Sequence, residues 1–194
     1  METKNWKWFK YSEIFDVQKG KRLTKADMTI GEIPYIGAID SNNGVSAHIS
    51  NNEHLHSANT ISVSYNGSIA EAYYQTEPFW ATDDVNVLYP KFDLNINIAL
   101  FLTTIINREK YRFNYGRKWD KELMKSSKIK LPIDNNGKPD WQWIENYVKE
   151  TLIPKLPSKT KSVWKKEFDK TPLSPNKLQL NTVDWKWFQY TKLF

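Results

Sequence analysis

Asn59–Pro90 reads NTISVSYNGSIAEAYYQTEPFWATDDVNVLYP, and this stretch decides the fold. β-Branched and aromatic residues gather in Thr60–Tyr65, Ile69–Gln75 and Val85–Tyr89, with turn-forming residues between them. Such side chains suit a pleated, half-buried surface, so the three runs read as strands. Asn66-Gly67 falls between the first two. Both residues tolerate positive φ, which makes Ser64–Ile69 read as the turn of a hairpin. Towards the N-terminus, Ile14–Lys19, Ile33–Ile39 and Val45–Ser50 have the same character, and Asn43-Gly44 is a second tight-turn dipeptide.

Towards the C-terminus the period changes. Asp93–Lys110 reads as a helix that Asp93 or Asn95 can cap. Ile96, Ala99, Leu100, Thr103 and Ile106 follow a 3.6-residue period. Ile98, Phe101, Leu102 and Ile105 fill other faces, so this helix should be largely buried. A short helix over Asp120–Ser126 and a strand over Lys128–Leu131 follow. Asp140 then caps a helix with Trp141, Ile144, Tyr147/Val148 and Leu152 along one stripe, and Pro154 should stop it. That stripe either covers the domain's own core or forms an interface. The expected class is α+β, a twisted, mostly antiparallel or mixed sheet with a buried helix.

The chain also repeats itself. Trp6–Phe15 is WKWFKYSEIF and Trp185–Phe194 is WKWFQYTKLF, with six of ten positions identical. The spacing is far too long for a solenoid. We read two tandem domains, the second ending just after it begins; a docking motif shared by both ends is the alternative. Residues 154–182 hold four prolines and seven lysines, the composition of a linker. The expected division is a recognition domain over 1–138, a spacer helix over 139–153, a Pro/Lys-rich linker over 154–183, and the start of a second repeat over 184–194.

Bulk properties narrow the partners. The 194 residues carry a formal charge of +6 and include nine Trp, ten Tyr and nine Phe. Between Arg108 and Lys130 stand nine Lys/Arg against three acids, a surplus equal to that of the whole chain. Concentrated positive charge is the footprint expected for a polyanion, and a solvated face is the plainer reading. There are no cysteines, so disulfides and thiolate metal sites are excluded and a cytoplasmic setting is expected. The N-terminus lacks an apolar signal core, and the apolar run within Ile96–Ile106 is too short to span a bilayer.

Signals for catalysis are thin. His48, His54 and His56 are the only histidines, and His54-Leu-His56 has no clear third metal ligand beside it. Asp83-Asp84 reads as paired carboxylates for acid–base or metal chemistry, or more simply as a turn before a strand. No phosphate-binding loop, dinucleotide fingerprint or nucleophile elbow is present. Binding signals are richer. Lys19-Gly-Lys21-Arg22, followed by Lys25, places glycine among basic residues, so backbone and side chains can approach phosphates together. Tyr115-Gly-Arg117-Lys118-Trp is a second basic loop with aromatics interleaved. Arginine can grip phosphate or guanine bidentately, while lysine acts as a mobile charge. Asn66 and Ser68 offer polar groups at the hairpin tip. Each loop taken singly also reads as an ordinary solvated turn.

The ordered stretches WKWFKYSEIFDVQKGKRLTK, GEIPYIGAIDSNNGV, the Asn59–Pro90 segment, IALFLTTIINREKYRFNYGRKW and KIKLP resemble the specificity subunits of type I and type IIB-like restriction-modification systems. The likeness covers roughly residues 6–152, and Trp185 looks like the opening of the family's second recognition domain. It implies a non-catalytic subunit without cofactor or metal. Each of the two recognition domains of such a subunit reads half of a bipartite duplex site in the major groove. The implied partners are double-stranded DNA, the methyltransferase subunit, a restriction subunit and, for a half-length chain, a second copy; no membrane is implied. The expected DNA contacts are Lys19, Lys21, Arg22, Lys25, Asn66, Ser68, Arg117 and Lys118. One departure is the short helix before Pro154, where the family often has a long one. The chain is expected to be a half-subunit or a fragment. The competing readings are a carbohydrate-binding module using Trp6, Trp8, Trp141 and Trp143, and a metal-dependent nuclease built on Asp83, Asp84 and a histidine.

Overall fold

The computed structural model describes residues 5–158. The linker reading beyond residue 158 and the Trp185–Phe194 copy lie outside them. Nine strands and four α-helices are described: β1 Trp6–Lys10, α1 Tyr11–Ile14, β2 Phe15–Lys19, β3 Ile30–Ile36, β4 Val45–Ile49, β5 Thr60–Ser64, β6 Ala72–Gln75, β7 Trp80–Ala81, β8 Val85–Pro90, α2 Ile96–Asn107, α3 Lys121–Ser126, β9 Lys128–Pro132 and α4 Trp141–Tyr147. The α+β expectation with mixed sheets holds.

The central sheet has the order β2-β8-β5-β6 and is antiparallel throughout. Strand β8 runs through its middle, with Val85–Leu88 all buried. Its alternation explains why. Leu88 joins the large core under α2, while Val85 and Val87 face a second cluster with Ile36, Phe79 and Ala81. The sheet is therefore covered on both sides, by helices on one and by the sheet β4-β3-β7 on the other. A third pair, β1 with β9, brings the two ends of the unit together, and Ile133 N donates to Asn5 O at 2.9 Å.

Helix α2 starts where Asn95 accepts hydrogen bonds from the N–H groups of Asn97 and Ile98, so Asn95 is the cap rather than Asp93. The helix buries Ile98, Ala99, Phe101, Leu102 and Ile106. It is shorter than expected, because Arg108–Arg112 tightens into a 3-10 turn. Asp140 caps α4 as expected, and Asp120, read as the first residue of a short helix, caps α3. Pro154 does not stop the last helix. The helical path continues through Val148–Leu152 and Ile153–Lys155, with Pro154 in the first turn of the final segment, where a missing N–H costs nothing. The apolar stripe of α4 covers the domain's own core, with Ile144 and Val148 buried in it.

Strand limits shift at several places. Ile14 ends a helical turn instead of opening a strand, Ile33–Ile39 moves back to Ile30–Ile36, and Ile69–Gln75 shrinks to Ala72–Gln75. Residues 65–71 form a wider loop than a two-residue turn, with positive φ at Gly67 and Ala70. Asn43 and Gly44 adopt the positive φ their dipeptide suggested.

Candidate nucleic-acid interface

Antiparallel pairing gathers the basic loop and the hairpin at one end of the central sheet. Lys19, the last residue of β2, lies opposite Asn86 near the start of β8. Ser64, the last residue of β5, lies opposite Val85. The loops that leave this end are therefore neighbours: Gly20–Lys25, Tyr65–Glu71 and Thr82–Asp84.

Backbone contacts clamp them. Gly20 N donates to Val85 O at 2.9 Å and Lys21 N to Ala81 O at 2.9 Å. Trp80 Nε1 donates to Lys21 O at 2.7 Å. Gly20 lies so close that a Cβ there would meet Thr82 O at 2.2 Å. Tyr65 N donates to Asp84 O at 2.9 Å, and the Tyr65 hydroxyl donates to Asp83 O at 2.6 Å. Asn66 Nδ2 donates to Asp84 Oδ1 at 2.9 Å.

These contacts frame an open cleft of about 490 Å³ lined by Arg22, Leu23, Thr24, Lys25, Asn66, Thr82, Asp83 and Asp84. A shallower hollow of about 320 Å³ is lined by Lys19, Tyr65, Asp120, Lys121 and Glu122. The Lys19 ammonium lies 5.4 Å from the centre of the Tyr65 ring. Its hydrogen bond to the Tyr65 hydroxyl, aided by the charges of Asp83 and Asp84, raises its pKa above the ordinary lysine value, so it remains a cation.

The second basic loop reaches the same end through Trp119. That ring is fully buried, stacks on Phe113 at 4.5 Å and donates from Nε1 to Ser127 Oγ at 3.0 Å. Its carbonyl accepts from Asn86 Nδ2 at 3.2 Å. From this anchor the chain projects a small hairpin, closed by paired backbone bonds between Asn114 and Arg117. Arg117 is exposed, Tyr115 at the tip is 80% exposed, and the Lys118 ammonium sits 5.2 Å from the Tyr115 ring centre.

The sequence-selected residues separate into three groups. Arg22, Lys25 and Asn66 line the cleft, and Lys19 lines the adjoining hollow. Arg117 and Lys118 lie on the hairpin anchored beside them. Lys21 and Ser68 line neither hollow. Lys21 Nζ is 2.7 Å from His54 Nε2, and Ser68 braces its loop through Ser68 N to Ala38 O at 3.2 Å. Sequence reading did not select Tyr65, Lys121 or Tyr115 as contacts, although Tyr65 and Tyr115 lie in the loops it singled out. Lys121 lay within the counted basic stretch, but nothing in its spacing set it apart. That stretch does not form one patch. Lys110 pairs with Glu71, Arg112 with Glu109 and Lys125 with Glu122, while Lys128 and Lys130 lie on β9.

The competing readings find little geometry. Trp141 stacks on Phe92 at 3.7 Å, Trp143 on Tyr147 at 5.1 Å, and Trp6 meets Trp143 edge-on at 6.2 Å. Three of the four tryptophans thus make ring contacts within the protein, and Trp8, at 53%, and Trp143, at 37%, remain exposed. Among the described residues no three His, Cys, Asp or Glu side chains are placed to hold a metal ion. Thr82 to Val85 is a turn, closed by Val85 N donating to Thr82 O at 3.0 Å. His56 is buried against Phe79, with Nδ1 2.8 Å from the Tyr89 hydroxyl, and desolvation lowers its pKa. No described helix is long and apolar enough to cross a membrane.

Comparison with known proteins agrees with this architecture. The specificity subunit S.BcgI of a type II restriction enzyme from Heyndrickxia coagulans is 39% identical over 145 residues, which are 74% of this chain and 42% of that protein. The chain thus spans less than half the length of that relative. Among solved structures, the type I restriction-modification S subunit from M. genitalium matches with a TM-score of 0.55 at 17% identity, over 84% of this chain and 42% of that one. The HsdS subunit from Thermoanaerobacter tengcongensis matches at 0.57 and 13%, over 88% and 42%. At such identities these two show a shared fold. The family described as the type I restriction modification DNA specificity domain matches residues 3–160. With most of its length matched in this way, the chain belongs to the type I restriction-modification DNA specificity domain family.

Proposed function

We propose that this chain recognises duplex DNA by sequence and catalyses no step itself. It reads one half of a bipartite site and positions a methyltransferase, and with it an endonuclease, on that site. The observation that carries this reading is the convergence of Lys19, Arg22 and Lys25 with the Arg117–Lys118 hairpin at one end of a rigid sheet. Basic groups held on clamped loops meet a regular polyanion at little further entropic cost. The family supports the assignment, since its named members are specificity subunits.

The proposed partners are double-stranded DNA, the modification subunit and the restriction subunit. A second copy would supply the other half-site by two-fold symmetry. The setting is the cytoplasm, where such a complex meets DNA. The division at residues 138, 153 and 183 belongs to the same proposal, with 1–138 as the unit that reads DNA.

Anisotropy titrations of the full chain on duplexes selected from a randomised pool test this directly. Affinity should fall linearly with salt on logarithmic axes, and Lys19→Ala should flatten that slope by about one unit. Each base-reading arginine removed should cost roughly 1–3 kcal/mol and relax one position. A double Arg22→Ala/Arg117→Ala variant that binds as well as the parent would show both loops to be wrongly assigned. Failure to select any duplex would reject the DNA reading itself.

A further inference from the structure

Asp83 and Asp84 do not fit a cleft built for phosphates alone. They line it together with Arg22 and Lys25. A carboxylate repels a phosphate and can only accept hydrogen bonds. No described residue forms an ion pair with either acid, although both act on Lys19 at longer range. Two negative charges kept in a DNA-facing cleft weaken backbone binding unless something on the DNA donates to them.

Their placement is fixed. Tyr65 holds both backbone carbonyls, Asn66 Nδ2 donates to Asp84 Oδ1 at 2.9 Å, and Thr82 Oγ1 donates to Asp83 Oδ1 at 3.1 Å. Among the described residues, one oxygen of each carboxylate has no protein donor. Asn66 Oδ1, at the same wall, is buried with no hydrogen-bond partner. The cleft therefore holds free carboxylate oxygens together with the cations of Arg22 and Lys25.

Duplex DNA offers a matching surface in one place. Along the major groove the strong donors are the exocyclic amino groups, cytosine N4 and adenine N6, while phosphates flank them on either side. Arg22 and Lys25 would take the phosphates and the acidic wall the base edges. Resting on the DNA-recognition reading above, we infer that Asp83 and Asp84 are specificity-determining residues that select a base pair by accepting from its major-groove amino group.

The test selects duplexes from a randomised pool with the full-length chain, its Asp83→Ala and its Asp84→Ala variants, and sequences the bound fractions. Circular dichroism and melting confirm that each variant is folded. In the parent motif at least one base pair should be fixed, and one variant should relax that pair, whose cytosine or adenine is the base at issue, while the other pairs stay fixed. A second arm needs no variant. The parent protein is titrated on its selected duplex with that base replaced by an analogue lacking the amino group, 2-pyrimidinone for cytosine or purine for adenine. Loss of on the order of tenfold to a hundredfold is expected, and whichever analogue acts identifies the base. If the analogues bind as the natural duplex does, or if both folded variants keep the parent motif, the inference is overturned. A uniform loss across all sequences overturns it too, since the acids would then only brace their loop. If the parent selects no duplex at all, the DNA-recognition reading fails first, and that outcome is distinct from the others.

Discussion

Gly20 shows how one hydrogen atom in place of a methyl group sets the candidate interface. The backbone passes so close to Ala81 and Thr82 that an added Cβ would lie 2.5 Å and 2.2 Å from their carbonyl oxygens. Those atoms belong to a paired strand and a turn, so they have little room to yield. Gly20→Ala should therefore cost about 1–3 kcal/mol by overpacking and pull Lys19 and Arg22 out of place. Urea titration should record the lower midpoint, and binding should weaken alike on every duplex; an unchanged midpoint would mean the loop is looser than described. His56 makes a second residue-scale case. Burial holds its folded pKa below the ordinary 6.5, so the unfolded chain takes up a proton first as pH falls. Stability is thus fully present above about pH 6.5 and is lost as pH drops towards the folded pKa. Denaturation midpoints measured between about pH 5 and 7.5 should fall on the acid side, and His56→Asn should remove that part of the slope. A parent protein with equal midpoints across this range would contradict the sign.

At the scale of elements, local signals were legible and partners were not. The cap Asp140 and the long apolar period of α2 could be read directly, because each depends on residues a few positions apart. Strand β1 went unread as a strand. Its WKWFK pattern drew attention as half of a repeat, and its hydrogen-bond partner, β9, lies at the far end of the unit. The two-residue β7 had too little sequence to register, yet it makes the parallel pair with β3. Helix α4 shows how an ambiguous stripe resolves. Its apolar face meets α2 and β1 through Ile144, Val148 and the ring contacts of Trp143 and Tyr147. Ile144→Ala should cost roughly 2–5 kcal/mol as a fully buried truncation. A loss under about half a kcal/mol, measured by thermal or chemical melting, would mean that α4 is not part of this core.

The whole molecule assembles what no window of sequence could place together. Lys19–Lys25 and Arg117–Lys118 were each readable as basic loops. That they share one sheet end follows from the register of β2, β8 and β5 and from the Trp119 anchor. Asp83-Asp84 was read most simply as a turn, and it is one; its place in one cleft with Arg22 and Lys25 is a tertiary fact. The charge surplus between Arg108 and Lys130 misled in the other direction, because counting cannot see that Lys110 is spent on Glu71, outside the stretch, or that Lys128 and Lys130 lie on β9. The proposal of a second copy has its own check. Removing residues 183–194, which repeat most of the β1 segment, should change the mass seen by light scattering or lower the melting temperature. If neither moves, the repeat has no role in assembly.

The β1–β9 pairing also has a consequence on the ribosome. Strand β1 leaves the exit tunnel long before Lys128–Pro132 has been made. At cellular rates of synthesis it waits on the order of ten seconds, with its tryptophans uncovered and its backbone unpaired. Lys7 and Lys10, which flank Trp8, place positive charge on that waiting edge, as strands that must avoid stray pairing commonly do. Later the same lysine becomes a cost, since Lys10 ends directly across from Lys128. The nascent chain is kept from sticking at some expense to the finished protein.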